Sequence, residues 1–411
     1  MPTRHSLDVV IVGAGVVGAA CAYYASRSGL SVAVVDRGSV AGGTTGAGEG
    51  NLLVSDKEPG PELDLALLST RLWRELADEL PPEIELESKG GLVVASDEAR
   101  LDALSTFAAK QATAGVTAAR VPADRLHDFE PHLAPGLAGA FHYPQDAQVQ
   151  PALAAAHLLR AARRAGAVLR LGEEVTAVLT GPGGAVRGVR TDRGELSAPA
   201  VVNAAGTWGG ELAALAGVDL PVMPRRGFVL VTEPLPRLVR HKVYAADYVA
   251  DVASGSAALQ TSPVVEGTPS GPVLIGASRE RVGFDRTLRV EVLRRLAAGA
   301  AGLFPVLAGV RVMRAYHGFR PYLPDHLPAI GPDQRAPGLF HACGHEGAGI
   351  GLAPATGLLL AAAIRGERPA LDLAPFRPDR FTGADPVPGT DPLPGGEPRG
   401  HADPRGHHDG A

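Results

Sequence analysis

The chain has 411 residues, of which 45% are hydrophobic and 20% are charged, and its formal net charge is −5. This composition is typical of a globular protein with sizeable cores, and the slightly acidic balance excludes a basic surface for nucleic acid or an anionic membrane. The two cysteines, Cys21 and Cys343, are too few for a disulfide framework or a four-cysteine iron–sulfur cluster.

The low cysteine content favours a reducing, cytoplasmic setting. The N-terminal apolar run, Val9 to Val12, is far too short for a signal peptide. No stretch reaches the roughly 18 apolar residues of a membrane-spanning helix. We therefore expect a cytoplasmic protein with no transmembrane segment.

The first predicted elements form a β-α-β unit. Residues 8–12 read DVVIV, a short apolar run typical of a buried strand, and residues 31–36 read SVAVVD, a second strand. Between them, GAGVVG opens a helix whose inner positions are small or apolar. This arrangement is typical of a nucleotide-binding domain built on a parallel sheet.

The glycines of GAGVVG match the mechanics of dinucleotide binding. Gly13 allows a tight turn, Gly15 lets the backbone approach a pyrophosphate at the helix N-terminus, and Gly18 permits close helix–strand packing. Asp36 ends the second strand, where a carboxylate accepts hydrogen bonds from an adenosine ribose and disfavours the 2′-phosphate of NADP. The alternative is an ordinary glycine turn in an α/β protein.

Apolar periodicity predicts the later helices and strands. The helices cover residues 61–80, 98–115, 152–165, 286–303 and about 352–365. The strands cover residues 89–96, 167–171, 173–180, 185–191 and 200–204. Between 218 and 285, short strands separated by turns predict an antiparallel sheet with one solvent-exposed face.

Three segments favour FAD over NAD as the cofactor. The glycine-rich loop at 42–52 follows Asp36 closely and offers the further backbone donors that a long flavin nucleotide needs. Residues 167–179 pair a short strand with EEVTAVL, and residues 201–217 form an apolar strand ending in Ala-Ala-Gly. An NAD-dependent dehydrogenase that used only the N-terminal unit would leave these segments and 344–357 without a role.

The sequence resembles the D-amino-acid-oxidase-like family of FAD-dependent oxidoreductases from about Asp8 to Phe381. The matching pieces are VIVGAGVVGAACAYYASRSGLSVAVVD, the 42–52 loop, VVNAAGTW, GFRPYLPDHLPAIGP and GHEGAGIGLAPATG. These motifs are specific for fold and cofactor and much less specific for substrate. Within the family, the chain is most similar to the group of glycine oxidases, proline and hydroxyproline dehydrogenases and opine oxidase β-subunits.

The resemblance implies an α/β fold with two domains. A discontinuous, Rossmann-like FAD-binding domain with a central parallel sheet would use residues 1–80, 145–217 and 325–381. A substrate domain with a mainly antiparallel sheet would use residues 85–144 and 218–324. The segment 382–411 is rich in Pro, Gly, Asp and His, lacks apolar periodicity, and is predicted to be a disordered tail.

The resemblance also implies which residues hold a noncovalent FAD. The ADP half would be held by Gly13, Gly15, Gly18, Asp36 and Arg37. The ribityl and isoalloxazine side would be lined by Thr44, Thr45, Gly48 and Asn51. Val175 would contact adenine through its backbone, and Ala205 and Gly206 would pass close to the pyrophosphate. The pyrimidine edge would be lined by Gly347, Gly349 and Ile350. Covalent attachment through Cys343 is the alternative, but its spacing does not match the expected attachment cysteine.

Arg320, Tyr248 and Tyr244 are the predicted catalytic residues. Arg320 lies in GFRPY, between a predicted strand and a loop, and matches the family position whose guanidinium grips the substrate carboxylate. A structural salt bridge is the alternative role for this arginine. Both tyrosines lie in VYAADYVADV, where a hydroxyl can bind substrate and a ring can cover the flavin face. Core packing explains them equally well.

The glycine-rich segment GHEGAGIG at 344–351 precedes the closing helix. A second nucleotide-binding loop is excluded because no further β-α-β unit follows it. An acid–base pair of His345 and Glu346 is not needed for hydride transfer, and adjacent loop residues tend to point apart. We therefore predict a helix N-terminus laid against the flavin, with Glu346 pointing away or paired with a cation.

The expected function is oxidation of a small amino or imino acid, in which a hydride passes from the carbon bearing the amine to flavin N5 and the imine hydrolyses. Candidate substrates are D-amino acids, proline or hydroxyproline, glycine or sarcosine, and opines. We expect the chain to act either alone or as the catalytic β-subunit of a multi-subunit dehydrogenase, with iron–sulfur or flavin partner subunits as electron acceptors. The alternatives are an NAD-dependent dehydrogenase and a catalytically silent FAD-binding relay or assembly subunit.

Overall fold

The computed structural model describes residues 7–252 and 254–381. The helices are α1 (Val16–Arg27), α2 (Pro61–Glu79), α3 (Glu98–Ala112), α4 (Leu126–Phe129), α5 (Pro151–Arg164), α6 (Gly209–Ala214), α7 (Asp247–Val252), α8 (Val290–Leu303) and α9 (Gly349–Ile364). The strands are β1 (Val9–Val12), β2 (Val32–Asp36), β3 (Asn51–Leu52), β4 (Gly91–Ala95), β5 (Ala119–Pro122), β6 (Gly139–Tyr143), β7 (Ala147–Gln148), β8 (Val168–Leu171), β9 (Val175–Thr180), β10 (Val186–Thr191), β11 (Gly194–Ser197), β12 (Ala200–Asn203), β13 (Met223–Thr232), β14 (Lys242–Ala245), β15 (Gln260–Gly267), β16 (Val273–Arg279), β17 (Val312–Tyr322), β18 (Ala329–Pro332) and β19 (Leu339–Cys343). The predicted tail at 382–411 lies outside the described residues.

The first sheet has the strand order β18-β19-β12-β1-β2-β8, and its neighbours are parallel except β18 and β19. The central strands β1 and β2 are buried along their apolar length because both faces of the sheet are covered. On one face, Ile11 and Val34 belong to the core formed with α1, α5 and α9. On the other face, Val10 and Val35 pack with residues of β9 and β10. The predicted parallel sheet is confirmed.

The second sheet has the strand order β17-β13-β16-β15-β14-β4-β6-β5, and its pairs are antiparallel except β4 with β14. The prediction of one solvent-exposed face was wrong. One face clusters Phe228 and Ile275 with Leu296 of α8. The other face carries Tyr244 and Ala277 into the core shared with the first sheet. An antiparallel pattern alone does not reveal that a second layer covers this face.

The strands of the two large sheets come from separate parts of the chain. Those of the first sheet lie within residues 9–36, 168–203 and 329–343, and those of the second within 91–143 and 223–322. The division of the chain into an FAD-binding and a substrate domain stays a prediction. No helix in the described part of the chain is long and apolar enough to cross a membrane.

The sequence predicted a start near residue 352 for helix α9, but the helix begins at Gly349. Pro354 lies inside this helix and cannot donate a hydrogen bond to the carbonyl oxygen of Ile350. Trp73 of α2 supplies the missing donor, because its Nε1 lies 3.2 Å from that oxygen. The glycine-rich first turn is thus supported by α2, which helical periodicity alone does not predict.

Candidate active site

A cavity of about 580 Å³ runs along the carboxyl ends of β1, β2 and β12. Every predicted cofactor-binding residue lines this cavity except Gly18. Gly18 lies behind the turn, where an added Cβ would come within 2.0 Å of the carbonyl oxygen of Gly13. Gly18 therefore allows α1 to pack closely on the turn, but the structure does not place it at the cavity wall.

The turn between β1 and α1 requires glycine at its first position. Gly13 has a φ of 120°, and an added Cβ would lie 2.2 Å from the carbonyl oxygen of Ala204. The Asp36 carboxylate accepts hydrogen bonds from the backbone N–H groups of Ala14 and Gly38, each at 2.7 Å. Asp36 thereby holds the turn, and its oxygens keep further acceptor capacity for a ribose hydroxyl.

The 42–52 loop is tied to the rest of the cavity wall by threonine hydroxyls. The Thr45 hydroxyl accepts a hydrogen bond from the backbone N–H of Val16 at 3.0 Å, at the start of α1. The Thr44 hydroxyl donates to the carbonyl oxygen of Phe319 at 2.6 Å. These two bonds fix the loop between α1 and β17.

The far end of the cavity carries an aromatic and a cationic surface. The Arg37 guanidinium carbon lies 4.8 Å from the ring centroid of Trp208, and Nη1 of Arg37 lies 3.3 Å from Glu174 Oε1. Val175 lines the same end. This surface suits the flat base and ribose of an adenosine.

Helix α9 begins at the opposite end of the cavity, where Gly347, Gly349 and Ile350 line the wall. Within the described chain, no side chain caps this helix. Its first N–H groups have no acceptors within the helix, so the positive end of the helix faces the cavity. Backbone donors from α1 and α9 therefore suit an elongated anionic ligand.

A buried ionic cluster that the sequence analysis missed lies beside the cavity. Lys242 is fully buried, and its Nζ lies 2.5 Å from Glu266 Oε2 and contacts Asn51 Oδ1. Glu49 lines the cavity, and its Oε1 is buried with no hydrogen-bond partner among the described residues. Burial raises the pKa of Glu49, against the charge of Lys242. A buried oxygen without a partner in the cavity wall fits a hydrogen bond to a cofactor held there.

A second cavity, of about 520 Å³, adjoins the first between α2, α3 and α7. Arg320, Tyr248, Glu346 and Gly347 line both cavities. The two cavities therefore meet at the residues that the sequence analysis singled out for substrate binding and for the glycine-rich segment.

Arg320 lies inside β17, not between a strand and a loop as predicted. Its Nη1 donates a hydrogen bond to the carbonyl oxygen of Ser278 at 2.9 Å. Burial, and then the charge of Arg279, lower the pKa of Arg320. It remains a cation at neutral pH because the ordinary pKa of a guanidinium is very high. Among the described residues it forms no ion pair, so the structural salt bridge is not supported.

The two candidate tyrosines lie in different places. Tyr248 lines both cavities beside Arg320, whereas Tyr244 lines neither. Tyr244 is fully buried, and its hydroxyl contacts Oγ of Ser55. The two tyrosine rings meet edge to face with centroids 5.0 Å apart. The structure thus brings Tyr248 to the site, while Tyr244 is placed behind it because its register on β14 points into the core.

His345 and Glu346 point in different directions. His345 is buried, its Nε2 lies 3.0 Å from the Thr356 hydroxyl, and burial lowers its pKa to about 3. Glu346 pairs with Arg225 at 2.5 Å and with His326 at 3.0 Å. The prediction that Glu346 pairs with a cation is confirmed, and the two side chains do not form an acid–base pair.

Replacing Glu346 with glutamine should lower the free energy of unfolding by about 3 kcal/mol at neutral pH. Burial opposes ionisation, but the His326 hydrogen bond and the Arg225 charge lower the pKa of Glu346 from 4.5 to about 2. Because the folded-state pKa is the lower one, this contribution is complete above pH 4.5 and is lost as the pH falls toward 2. Urea unfolding at several pH values measures the difference between variant and wild type.

The matched control for this prediction is Glu291→Gln. Glu291 forms an exposed ion pair with Arg295 on α8, so its removal should change stability by less than about 0.5 kcal/mol at any pH. A Glu346→Gln difference that stayed constant down to pH 3 would contradict the assigned role of the buried pair.

Cys343 lines the first cavity but is buried. Burial raises the pKa of its thiol to about 12, so the sulfur stays protonated at neutral pH. A protonated thiol is a poor nucleophile. This environment favours the noncovalent cofactor that we predict.

A cavity that combines a dinucleotide-binding turn with the uncapped N-terminus of α9 suits an extended dinucleotide, as in flavoproteins. A model of the FAD dependent oxidoreductase (DAO) family matches residues 8–363. The chain belongs to this family. It is an FAD-dependent oxidoreductase, and the resemblance seen in its motifs is confirmed.

The chain is similar to several known proteins over most of its length. It is 33% identical to hydrogen cyanide synthase subunit HcnC of Pseudomonas aeruginosa, over 92% of this chain and 97% of that protein. It is also 33% identical to glycine oxidase of Geobacillus kaustophilus, over 92% of this chain and 98% of that protein. The crystal structure of glycine oxidase from Geobacillus kaustophilus superposes with a TM-score of 0.83 at 32% identity, covering 92% of this chain and all of the other.

Two further solved structures superpose over most of the chain, and the first of them, at 23% identity, supports the fold alone. L-proline dehydrogenase from P. horikoshii superposes with a TM-score of 0.83 at 23% identity, covering 92% of this chain and 98% of the other. Iminodiacetate oxidase from Chelativorans sp. BNC1 superposes with a TM-score of 0.79 at 27% identity, covering 90% of this chain and 98% of the other.

Proposed function

We propose that this protein oxidises the C–N bond of a small amino or imino acid whose carboxylate is bound by Arg320. The main support for the proposal is that Arg320 lies where the two cavities meet. One of its N–H groups is used by Ser278. A guanidinium has five N–H donors in a planar fork, so the remaining donors can bind both oxygens of a carboxylate.

When bound by the residues of the first cavity, FAD would supply the two-electron acceptor for the hydride that leaves the substrate Cα. The nitrogen lone pair forms the C=N bond of the imine as the Cα–H bond breaks, and water then adds to the imine. Arg320 fixes the carboxylate and hence the direction of the Cα–H bond. The neighbouring Tyr248 hydroxyl donates a second hydrogen bond to the same carboxylate.

Residues around the first cavity would hold the FAD. The turn at Gly13 and the start of α1 would hold the pyrophosphate, and Asp36 the adenosine ribose. The N-terminus of α9 would face the flavin and favour negative charge there. The loop residues Thr45 and Asn51 would lie along the ribityl side. Glu346 neutralises Arg225 instead of adding its charge to this region.

The comparisons support an amino-acid substrate. Two of the similar proteins are named glycine oxidase and iminodiacetate oxidase, and both substrates are small amino or imino acids with a carboxylate. HcnC is named as a subunit of hydrogen cyanide synthase. This name supports a second possibility, in which the chain works as the catalytic subunit of an assembly. In that case we propose iron–sulfur or flavin partner subunits as the electron acceptors.

Anaerobic mixing of the yellow holoenzyme with a panel of amino acids tests the proposal. We expect flavin bleaching by at least one small member of a panel containing glycine, sarcosine, proline, iminodiacetate and both enantiomers of alanine and aspartate. Bleaching by dithionite but by no panel member would contradict the proposal and favour a catalytically silent FAD-binding subunit.

A further inference from the structure

A second arginine faces the cavity beside Arg320. Arg279 ends β16, lines the second cavity and is only 4% exposed. Its guanidinium carbon lies 5.0 Å from the ring centroid of Tyr248. Among the described residues, the side chain of Arg279 makes no hydrogen bond and no ion pair, although its charge acts on Glu346 from a longer distance. A buried guanidinium without an anionic partner is costly, so this position calls for an anionic ligand.

The sheet places the two guanidinium groups on the same side of the cavity. Strands β16 and β17 flank β13, and Arg320 crosses β13 at Gly227 to reach the carbonyl oxygen of Ser278. A Cβ at Gly227 would lie 2.1 Å from Nη1 of Arg320, so glycine is needed for this crossing. Because Ser278 precedes Arg279, the head of Arg320 is brought to the strand that carries the second arginine.

Of the carboxylates that line the second cavity, Glu58 is exposed to solvent and the other four are engaged in ion pairs. Asp56 lies 2.7 Å from Lys57, and Glu62 lies 3.8 Å from the same ammonium. The other pairs are Asp247 with Arg100 at 2.8 Å and Glu346 with Arg225 at 2.5 Å. Among the described cationic residues of this cavity, Arg279 and Arg320 are left without a carboxylate partner.

We propose that Arg279 is a second carboxylate-binding residue and that the substrate is an amino or imino acid with two carboxylates. The first carboxylate would lie on Arg320, and the second would lie on Arg279 along the second cavity. The two fixed cations Arg279 and Arg320 repel each other in the absence of ligand, and a dianion offsets that repulsion. A monocarboxylate would leave Arg279 unpaired.

This inference rests on the proposed amino-acid oxidation, and two matched substrate pairs separate the two claims. Iminodiacetate differs from sarcosine, and aspartate from alanine, by a second carboxylate. We expect the wild-type holoenzyme to show at least about 100-fold higher kcat/KM for the dicarboxylate of one pair. The pair that shows it tells whether the second carboxylate is carried on the nitrogen arm or on the carbon arm.

The Arg279→Met variant should lose that preference. Its kcat/KM for the dicarboxylate should fall about 100-fold, while its kcat/KM for the monocarboxylate partner should change less than about threefold. Arg281→Met is the matched control, because Arg281 packs over the ring of Tyr322 and lines neither cavity. This control should keep the wild-type preference.

The outcomes distinguish the two claims. Reduction of the flavin by monocarboxylates with no preference for dicarboxylates would overturn the second site but leave the proposed function intact. An equal loss for both members of a pair in Arg279→Met would also overturn it. If Arg279→Met does not fold, the wild-type preference for the dicarboxylate is compared with that of Arg279→Lys. Lysine keeps the charge but lacks the planar guanidinium, so the preference should be weaker in this variant. Reduction by none of the four compounds would overturn the second site.

Discussion

Replacing Arg320 with methionine should lower kcat/KM for the amino-acid substrate by about 100- to 1,000-fold while the protein keeps its FAD. The loss corresponds to about 3–4 kcal/mol, the usual effect of removing one partner of a desolvated charge pair. Most of the change should appear in KM, because the guanidinium binds the carboxylate before and during hydride transfer. Steady-state kinetics together with the flavin absorption of the purified variant measure both effects.

Arg314→Met is the matched control for this prediction. Arg314 lies on the same strand but is exposed, with its guanidinium over the ring of Tyr316. The control should retain wild-type kinetics. Arg320→Lys should remain strongly impaired, because an ammonium cannot make the bidentate contact. An unchanged KM in Arg320→Met, with normal FAD content, would show that the carboxylate binds elsewhere.

Replacing Gly13 with alanine should weaken FAD binding by at least about 100-fold and yield largely colourless protein. The new Cβ would lie 2.2 Å from the carbonyl oxygen of Ala204, and the φ of 120° adds conformational strain for any L-residue. Both β12 and the turn would have to shift, which moves the backbone N–H groups that face the pyrophosphate position. Absorption spectra and FAD titration of the apoprotein measure the loss.

Gly29→Ala separates this effect from the general cost of alanine at positive φ. Gly29 has a φ of 90° and lies in the same β-α-β unit, but a Cβ there would meet no atom within 4 Å. This control should cost about 1 kcal/mol of stability and keep its FAD. If Gly13→Ala were as yellow as Gly29→Ala, the turn would not be the pyrophosphate site.

The β-α-β unit could be predicted because its signals are local. Residues 8–36 contain two apolar runs, a glycine turn and a terminal aspartate in one short segment, so no distant partner was needed to identify them. The same holds for the N-terminus of α9, apart from the support that Trp73 gives its first turn.

The end of the strand that contains Arg320 was predicted less accurately. The proline at 321 suggested a strand end, but β17 is an edge strand, where a residue without an N–H is tolerated. Sequence spacing also could not show that Tyr248 lines the cavities and Tyr244 does not. They lie only four positions apart, and the side-chain directions depend on the end of β14 and the start of α7.

The ionic contacts around the site depend on pairs far apart in the chain. Glu346 meets Arg225 across 121 positions, and Lys242 meets Glu266 across 24. A single sequence shows that a lysine interrupts an apolar strand, but it does not show which carboxylate neutralises it. The same holds for Arg279, since only the structure shows that no described carboxylate forms an ion pair with its guanidinium.

The most direct measurement is an anaerobic titration of the holoenzyme with the best amino-acid substrate of the panel and with its carboxamide. The two compounds share the amine and the Cα–H bond and differ in the carboxylate that Arg320 is proposed to hold. We expect the acid to bleach the flavin and the amide to do so at least about 100-fold less efficiently. Equal bleaching by acid and amide, or bleaching by neither while dithionite reduces the flavin, would contradict this expectation.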